Sequence, residues 1–285
     1  MRVPIERVNA FGLSKKGVAL DIKLPLHDSH AGIGAALDEA LRSRECITPL
    51  TEQWPSLSID DAYAISLEFL RIRVSRGDIV IGKKIGATSK AVQEMLGVYQ
   101  PDFGFLLASM RLEDGGICSI KDHLIQPRAE AEIAFVLKAD LCGPDINEED
   151  VLNATESIAP CIEIVDSRIK DWRIGIVDTV ADNASCGAFV LGASSADPRA
   201  FDLAALEGRF FKNGAEISRG KGSEVQGSPL TAVAWLANTL GRYGVPLNAG
   251  DVILSGSLVP LEPAAAGDHF EMELINVGRC GVHFV

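Results

Sequence analysis

The segment Arg128–Leu137 (RAEAEIAFVL) sets two acids two residues apart at the head of an apolar run. In an extended strand, residues two apart share a face, so Glu130 and Glu132 project together. One possibility is a half-exposed strand with both acids in water. The uninterrupted apolar run that follows points instead to a strand covered on both faces. Buried side by side, two carboxylates repel, and each is driven toward protonation unless a cation joins them. A hard divalent ion with oxygen ligands removes that conflict. Glu163 supplies a third acid inside another apolar run, Ile158–Val165 (IAPCIEIV), and charged residues are seldom buried without a partner. Three carboxylates suit Mg²⁺ or Mn²⁺ much better than Zn²⁺. Such an ion keeps positions open for water or substrate, so a working ion is expected.

Other polar residues stand beside strand-like segments. Lys84, in Lys83-Lys84-Ile85-Gly86, falls where a strand gives way to a helix start, and Lys83 is expected to be a surface lysine. Pro101-Asp102-Phe103-Gly104 reads as a turn. Asp166-Ser167-Arg168 and Asp182-Asn183-Ala184-Ser185 carry small polar groups that turn chemistry also explains. The glycine in Ser255-Gly256-Ser257 can let backbone amides approach a carboxylate. Neither a GxGxxG fingerprint nor a Walker loop occurs, which argues against nucleotide cofactors.

The elements that must position these residues fall into two patterns. Residues 1–30 form a loosely specified extension, with Gly, Pro and His interrupting each short apolar run. Residues 31–115 form an α-rich portion: Ile33 to Arg44 has helical spacing, and Ser58-Ile59-Asp60-Asp61 opens a helix to about Ser75. Strand-like Ile79–Gly82 follows, and Ser89 is placed to cap a short helix ending at Gly97. From residue 116 to 285 short strands dominate: 131–138, 158–165, 188–191, 209–212, 251–254, 270–275 and 280–285. Helices at 147–157 and 229–240 interrupt them. The sum is α+β rather than alternating βαβ units.

The chain has 285 residues and a formal charge of −12, with 47% hydrophobic and 23% charged residues. That is the profile of an ordinary globular protein long enough to bury a large core without disulfides. Acidity without a basic run excludes a nucleic-acid binder, whose affinity comes from neutralising phosphates. No run approaches the ~18 apolar residues of a membrane span, and the N-terminus lacks a signal-peptide pattern. Six cysteines without CxxC pairing are expected to be reduced thiols in a cytoplasmic protein. An anionic substrate would need local positive charge against this background.

Six segments together resemble the 2-keto-4-pentenoate hydratases, also called 2-hydroxypenta-2,4-dienoate hydratases, of the fumarylacetoacetate hydrolase superfamily. They are Lys84–Lys90 (KIGATSK), Gln100–Gly104 (QPDFG), Gln126–Glu132 (QPRAEAE), Cys161–Trp172 (CIEIVDSRIKDW), Asp178–Gly187 (DTVADNASCG) and Ser255–Leu261 (SGSLVPL). The resemblance runs in order from about Ile33 to the C-terminus. It implies a mixed β-barrel or β-roll core with an N-terminal α-rich portion, a homo-oligomer, and a metal-dependent lyase of meta-cleavage aromatic catabolism. It further implies Glu130, Glu132 and Glu163 as ligands of Mg²⁺ or Mn²⁺, with Lys84 as an acid/base and Asp102 as its helper. Ser167, Arg168, Asp182, Asn183 and Ser257 follow as substrate-pocket candidates. The substrate implied is a small anionic 2-hydroxydienoate, and an aldolase that takes the product is an implied partner. A sister family, 4-oxalocrotonate decarboxylase, is expected to carry His-Pro-Lys where this chain has Gln126-Pro127-Arg128. A hydratase of a longer or dicarboxylic dienoate, with Arg128 or Lys221 on a second carboxylate, is a further alternative. So is a non-catalytic metal-binding partner subunit. The segment Arg219–Pro229 departs from the family's Gly/Ala-rich stretch.

Overall fold

The strands that bear the acids are apolar along nearly their whole length, and the rest of the chain is arranged to cover them. The computed structural model describes residues 28–89, 92–94 and 98–285. The expected extension lies outside these residues up to position 27, as do Lys90, Ala91 and residues 95–97 of the expected short helix. Within that segment Ser89 Oγ accepts a bond from Val92 N at 3.3 Å, the capping geometry anticipated for Ser89.

The described residues open with three helices, α1 (Asp28–Ser43), α2 (Leu50–Gln53) and α3 (Ile59–Ser75). At α3 the Ser58 hydroxyl and the Asp61 carboxylate cap each other's backbone amides, a reciprocal arrangement that satisfies two otherwise orphaned donors. Then come β1 (Val80–Gly86), β2 (Asp102–Leu107), β3 (Arg111–Leu112), β4 (Gly116–Cys118), α4 (Ile120–His123) and β5 (Arg128–Leu137). The middle of the chain forms α5 (Glu148–Ala154), β6 (Thr155–Val165), α6 (Ile176–Ala181), β7 (Cys186–Leu191), β8 (Glu207–Lys212) and β9 (Ala215–Lys221). It closes with α7 (Pro229–Arg242), β10 (Val252–Ser257), β11 (Glu262–Pro263), β12 (His269–Leu274) and β13 (Gly278–Phe284). Among the described residues no helix is long and apolar enough to cross a membrane.

Two mixed sheets result among the described residues. The larger runs β2-β1-β10-β5-β6-β7-β3, with β11 added beside β5; the smaller runs β4-β13-β12-β8-β9. Strands β12 and β13 pack against β6, and α7 lies against β10 and β1. Both faces of β5 are therefore covered, and every residue of it after Arg128 is buried. This is the α+β curled-sheet architecture expected. The 31–115 portion and the 116–285 core are not separate layers, because β1 and β2 pair into the same sheet as β10, β5 and β6.

Two local expectations are corrected, and one strand was not foreseen. The segment read as a turn at Pro101–Gly104 is the start of β2, whose six residues are all buried and whose Asp102 pairs with Gly86 of β1. The glycine and the acid disguised a buried strand. The helix expected to Ser157 stops at Ala154, and β-branched Thr155 begins β6 while its hydroxyl bonds back to Val151 O. Strand β9 carries no apolar alternation, and it forms because β8 offers it an antiparallel edge.

The segment leaving β6 is anchored by a buried ion pair. Arg168 Nε lies 2.5 Å from Asp182 Oδ1, and Arg168 N and Ser167 Oγ reach Asp182 Oδ2 at 2.9 and 3.1 Å. The remaining guanidinium N–H groups donate to the carbonyl oxygens of Asp166, Asp182 and Cys186. Both side chains are fully buried. Breaking such a pair from one side leaves an uncompensated charge, a cost of about 3–5 kcal/mol. Denaturant titration of Arg168→Met is therefore expected to show a loss of that order. The double variant Arg168→Met/Asp182→Asn should lose less, and equal or additive losses would refute the coupling.

Candidate active site

The β5–β6 ladder sets Glu130 directly opposite Glu163, and Glu132 stands two residues further along the same face of β5. One carboxylate oxygen from each of Glu130, Glu132 and Glu163 lies within 4.8 Å of the others, and all three residues are buried. Glu132 Oε2 accepts a bond from Gly256 N at 2.7 Å. Glu132 Oε1 and Glu163 Oε2 are buried with no hydrogen-bond donor, and Glu163 Oε1 meets the Lys84 ammonium. Buried polar atoms are nearly always satisfied, so donor-free carboxylate oxygens in a cluster this tight fit a hard cation. The chemistry of the donor set is that of Mg²⁺-type sites.

Lys84 reaches this cluster from another part of the sheet. In strand order β1 is separated from β6 by β10 and β5, yet Lys84 Nζ lies 3.1 Å from Glu163 Oε1. The curl of the sheet, which also brings β2 against β7, closes that distance. Asp102 enters from β2, buried, with Oδ1 lacking a donor. A Cβ on Gly86 would stand 2.2 Å from Asp102 Oδ1 and 3.4 Å from Lys84 Nζ, so only glycine leaves these two groups room. Gly256 has φ +114 and its missing Cβ would fall 2.4 Å from the Thr88 side chain. That conformation is what turns its amide onto Glu132.

Burial and mutual repulsion dominate the electrostatics. Burial, then the Glu163 charge, pushes the Glu130 carboxyl up to about 8. The same two causes, with Glu130 added, hold Glu132 well above the usual range. Burial also raises Asp102, with Lys84 opposing it. For Lys84 burial alone would favour the neutral amine, but the Glu163 and Asp102 charges outweigh it and raise the amine, keeping it an ammonium.

Lys84, Asp102 and Glu130 open onto a pocket of about 400 Å³. Its lining mixes polar residues, among them Thr179, Ser185 and Ser257, with apolar ones such as Val165, Ile174 and Leu261. Of the residues singled out from sequence, Glu130, Glu132, Glu163, Lys84 and Asp102 come together, and Ser257 joins them at the wall. Its hydroxyl donates to Val259 O at 2.6 Å. Ser167, Arg168, Asp182 and Asn183 do not join them. The first three form the buried anchor described above, and Asn183 is spent on both backbone groups of Phe105. Lys83 is not at the surface: alternation along β1 turns it away from Lys84 into a buried pair with Asp251 at 2.5 Å. Lys221 is exposed on β9, outside this pocket. Sequence reasoning missed Thr179, whose hydroxyl supports Asp102 and lies 3.3 Å from Ser185 Oγ. Its only signal was its place in the Asp178–Gly187 segment.

A proton and a cation compete for Glu130. Affinity for Mg²⁺ should therefore fall as pH is lowered through about 8, and binding near neutrality should release protons. Calorimetric titration with Mg²⁺ in buffers of different ionisation enthalpy measures both. Affinity that does not change between about pH 6 and 9 would overturn this account.

Known proteins resemble this chain along most of its length. Residues 83–285 match the family described as Fumarylacetoacetate (FAA) hydrolase C-terminal. The chain is 60% identical over 252 residues to the 2-hydroxyhexa-2,4-dienoate hydratase of Comamonas testosteroni, covering 88% of this chain and 96% of that protein. It is 55% identical over 213 residues to the 2-hydroxypent-2,4-dienoate hydratase of Pseudomonas putida, covering 75% and 96%. The solved structure of 4-oxalocrotonate decarboxylase from Pseudomonas putida G7, complexed with magnesium and adipate, superposes with a TM-score of 0.89 at 32% identity, covering 92% of this chain and 100% of that one. With a profile match across most of its length and relatives of this identity along nearly their whole length, the chain belongs to the fumarylacetoacetate hydrolase family.

Proposed function

We propose that this chain is a divalent-metal-dependent hydro-lyase. It adds water to 2-hydroxypenta-2,4-dienoate or its six-carbon homologue, by way of the 2-oxo-3-enoate, and yields a 4-hydroxy-2-oxo acid. The observation that carries the proposal is a buried ammonium, Lys84, held between Glu163 of a three-carboxylate cluster and Asp102 in a pocket lined by both polar and apolar side chains. The 60% identity to a 2-hydroxyhexa-2,4-dienoate hydratase supports the substrate class.

Glu130, Glu132 and Glu163 would hold Mg²⁺ or Mn²⁺, which supplies positive charge for the substrate's carboxylate and 2-oxygen. The chain's own groups do the rest. Lys84, as an ammonium, delivers a proton to C5 while the 2-hydroxyl gives up its own, and the enol becomes the ketone. Conjugation with the ketone then leaves C4 electrophilic, and water adds across the alkene, its hydroxyl to C4 and a proton to C3. Asp102 orients Lys84, and its unbonded Oδ1 is available to position that water. The apolar lining receives the hydrocarbon end and keeps bulk water from the reactive alkene. A 4-hydroxy-2-oxo acid is an aldol, so an aldolase is the natural next enzyme. Assembly as a homo-oligomer belongs to the same proposal.

Incubation with Mg²⁺ and freshly generated dienol is expected to remove the dienol absorbance and produce the 4-hydroxy-2-oxo acid. Carbon dioxide release from 4-oxalocrotonate without hydration of the dienol would establish the decarboxylase instead.

Two variants separate the roles. Glu132→Ala should lose Mg²⁺ binding by calorimetry together with activity. Lys84→Met should keep Mg²⁺ binding but lose about 10²–10⁴ in kcat, the usual contribution of a positioned acid. Unchanged turnover in Lys84→Met would remove its assigned role.

A further inference from the structure

A second cavity, of about 780 Å³, adjoins the site, and Arg128 and Trp172 line both it and the metal-side pocket. The pair therefore stands between the two. Arg128 lies two residues before Glu130 on β5, so it follows the ligand-bearing face about 7 Å further along the strand. Its guanidinium sits 4.7 Å from the centre of the Trp172 ring. Among the described residues no carboxylate pairs with it, so the indole face is its partner.

Trp172 is held in an unusual way. It and the preceding Asp171 both adopt left-handed backbone conformations, with φ +55 and +58. That region is a genuine outlier for a bulky side chain, and such residues persist only where the surroundings over-determine them, often at ligand clamps. Here two contacts do so: the indole Nε1–H donates to Gln126 O at 3.0 Å, and Arg128 covers the ring. Beside the pair, Val165, Ile174 and Leu261 give the near pocket its apolar lining.

We propose that Arg128 and Trp172 form the end wall of the half of the site that takes the hydrocarbon tail, and so set the longest 2-hydroxydienoate admitted. With the head group at the carboxylate cluster, a short tail ends at the indole, and a longer one must pass into the outer cavity. This inference rests on the hydratase proposal and names the substrate subclass: monocarboxylic dienoates with short, uncharged tails.

The test is kcat/KM, with saturating Mg²⁺, for five-, six- and eight-carbon monocarboxylic 2-hydroxy-2,4-dienoates and for a six-carbon dicarboxylic analogue. The wild type should discriminate against the eight-carbon substrate. Trp172→Ala should raise the eight-carbon to five-carbon ratio by about tenfold or more, the scale on which a pocket wall rejects extra methylenes. Arg128→Met should shift the ratio the same way by less, because it only unpins the indole. If Trp172→Ala does not fold, a shift in Arg128→Met alone supports the wall and no shift overturns it. An unchanged ratio in a folded, active Trp172→Ala overturns the proposal. So does a specific loss of the dicarboxylic substrate in Arg128→Met with alkyl ratios unmoved, which would make the guanidinium an anion subsite. Failure of the wild type to hydrate any dienoate would overturn the hydratase proposal itself, and is read separately from the variant ratios.

Discussion

Three carboxylates buried within reach of one another cannot all be charged without compensation, and the architecture around them follows from that conflict. The ammonium of Lys84 and the amide of Gly256 offset part of the repulsion. Glu132 Oε1 and Glu163 Oε2 remain without donors. A protein that only needed stability would not keep such a cluster, because well-packed apolar residues of similar volume serve a core at least as well. In the proposed function a cation completes them, and its open positions would give an acidic chain a local docking point for an anionic substrate.

The strands answer this demand in a particular way. The β5–β6 ladder supplies the rigid pairing that sets Glu130 against Glu163, and the curl of the sheet folds β1 back so that Lys84 arrives from across the barrel-like interior. Two glycines make the approach possible. At Gly86 a methyl group would occupy the place of the Asp102 carboxylate, and at Gly256 a positive φ directs the amide toward Glu132. Outside the cluster, buried ions are used differently. The Arg168–Asp182 pair is fully bonded to its surroundings and ties the chain leaving β6 to the segment after α6. Lys83–Asp251 does the same on the outer face of β1. Neighbouring lysines thus have opposite fates: one neutralised as structure, the other left facing a pocket.

Much of this was legible in the residues. The Glu-x-Glu spacing with its apolar continuation correctly marked β5 as a buried strand, and the apolar context of Glu163 marked β6. The capping box before Ile59 located α3. The errors share a cause. Asp102 and Phe103 looked like a turn because the acid and the following Gly104 are turn residues, whereas β1 supplies the hydrogen-bonding edge that makes them a strand. Arg168, Asp182 and Asn183 looked available for a ligand because sequence does not show whether a polar group's partners are already in the protein. Lys83 looked exposed because its partner, Asp251, is remote in the chain.

The sequence by itself determined which groups could do chemistry and which strands would be buried, since residue type and period-two spacing are local properties. It also determined, through its segment pattern, the family. Only the tertiary structure decided which of those groups meet. Lys84, Asp102 and Glu163 converge through the curl of a sheet whose strand order mixes distant parts of the chain. Whether a buried polar atom is satisfied or left open depends on those non-local contacts. The same holds for the wall built by Arg128 and Trp172: their separation in sequence says nothing of a stacked pair between two cavities. Curvature and long-range packing place it there.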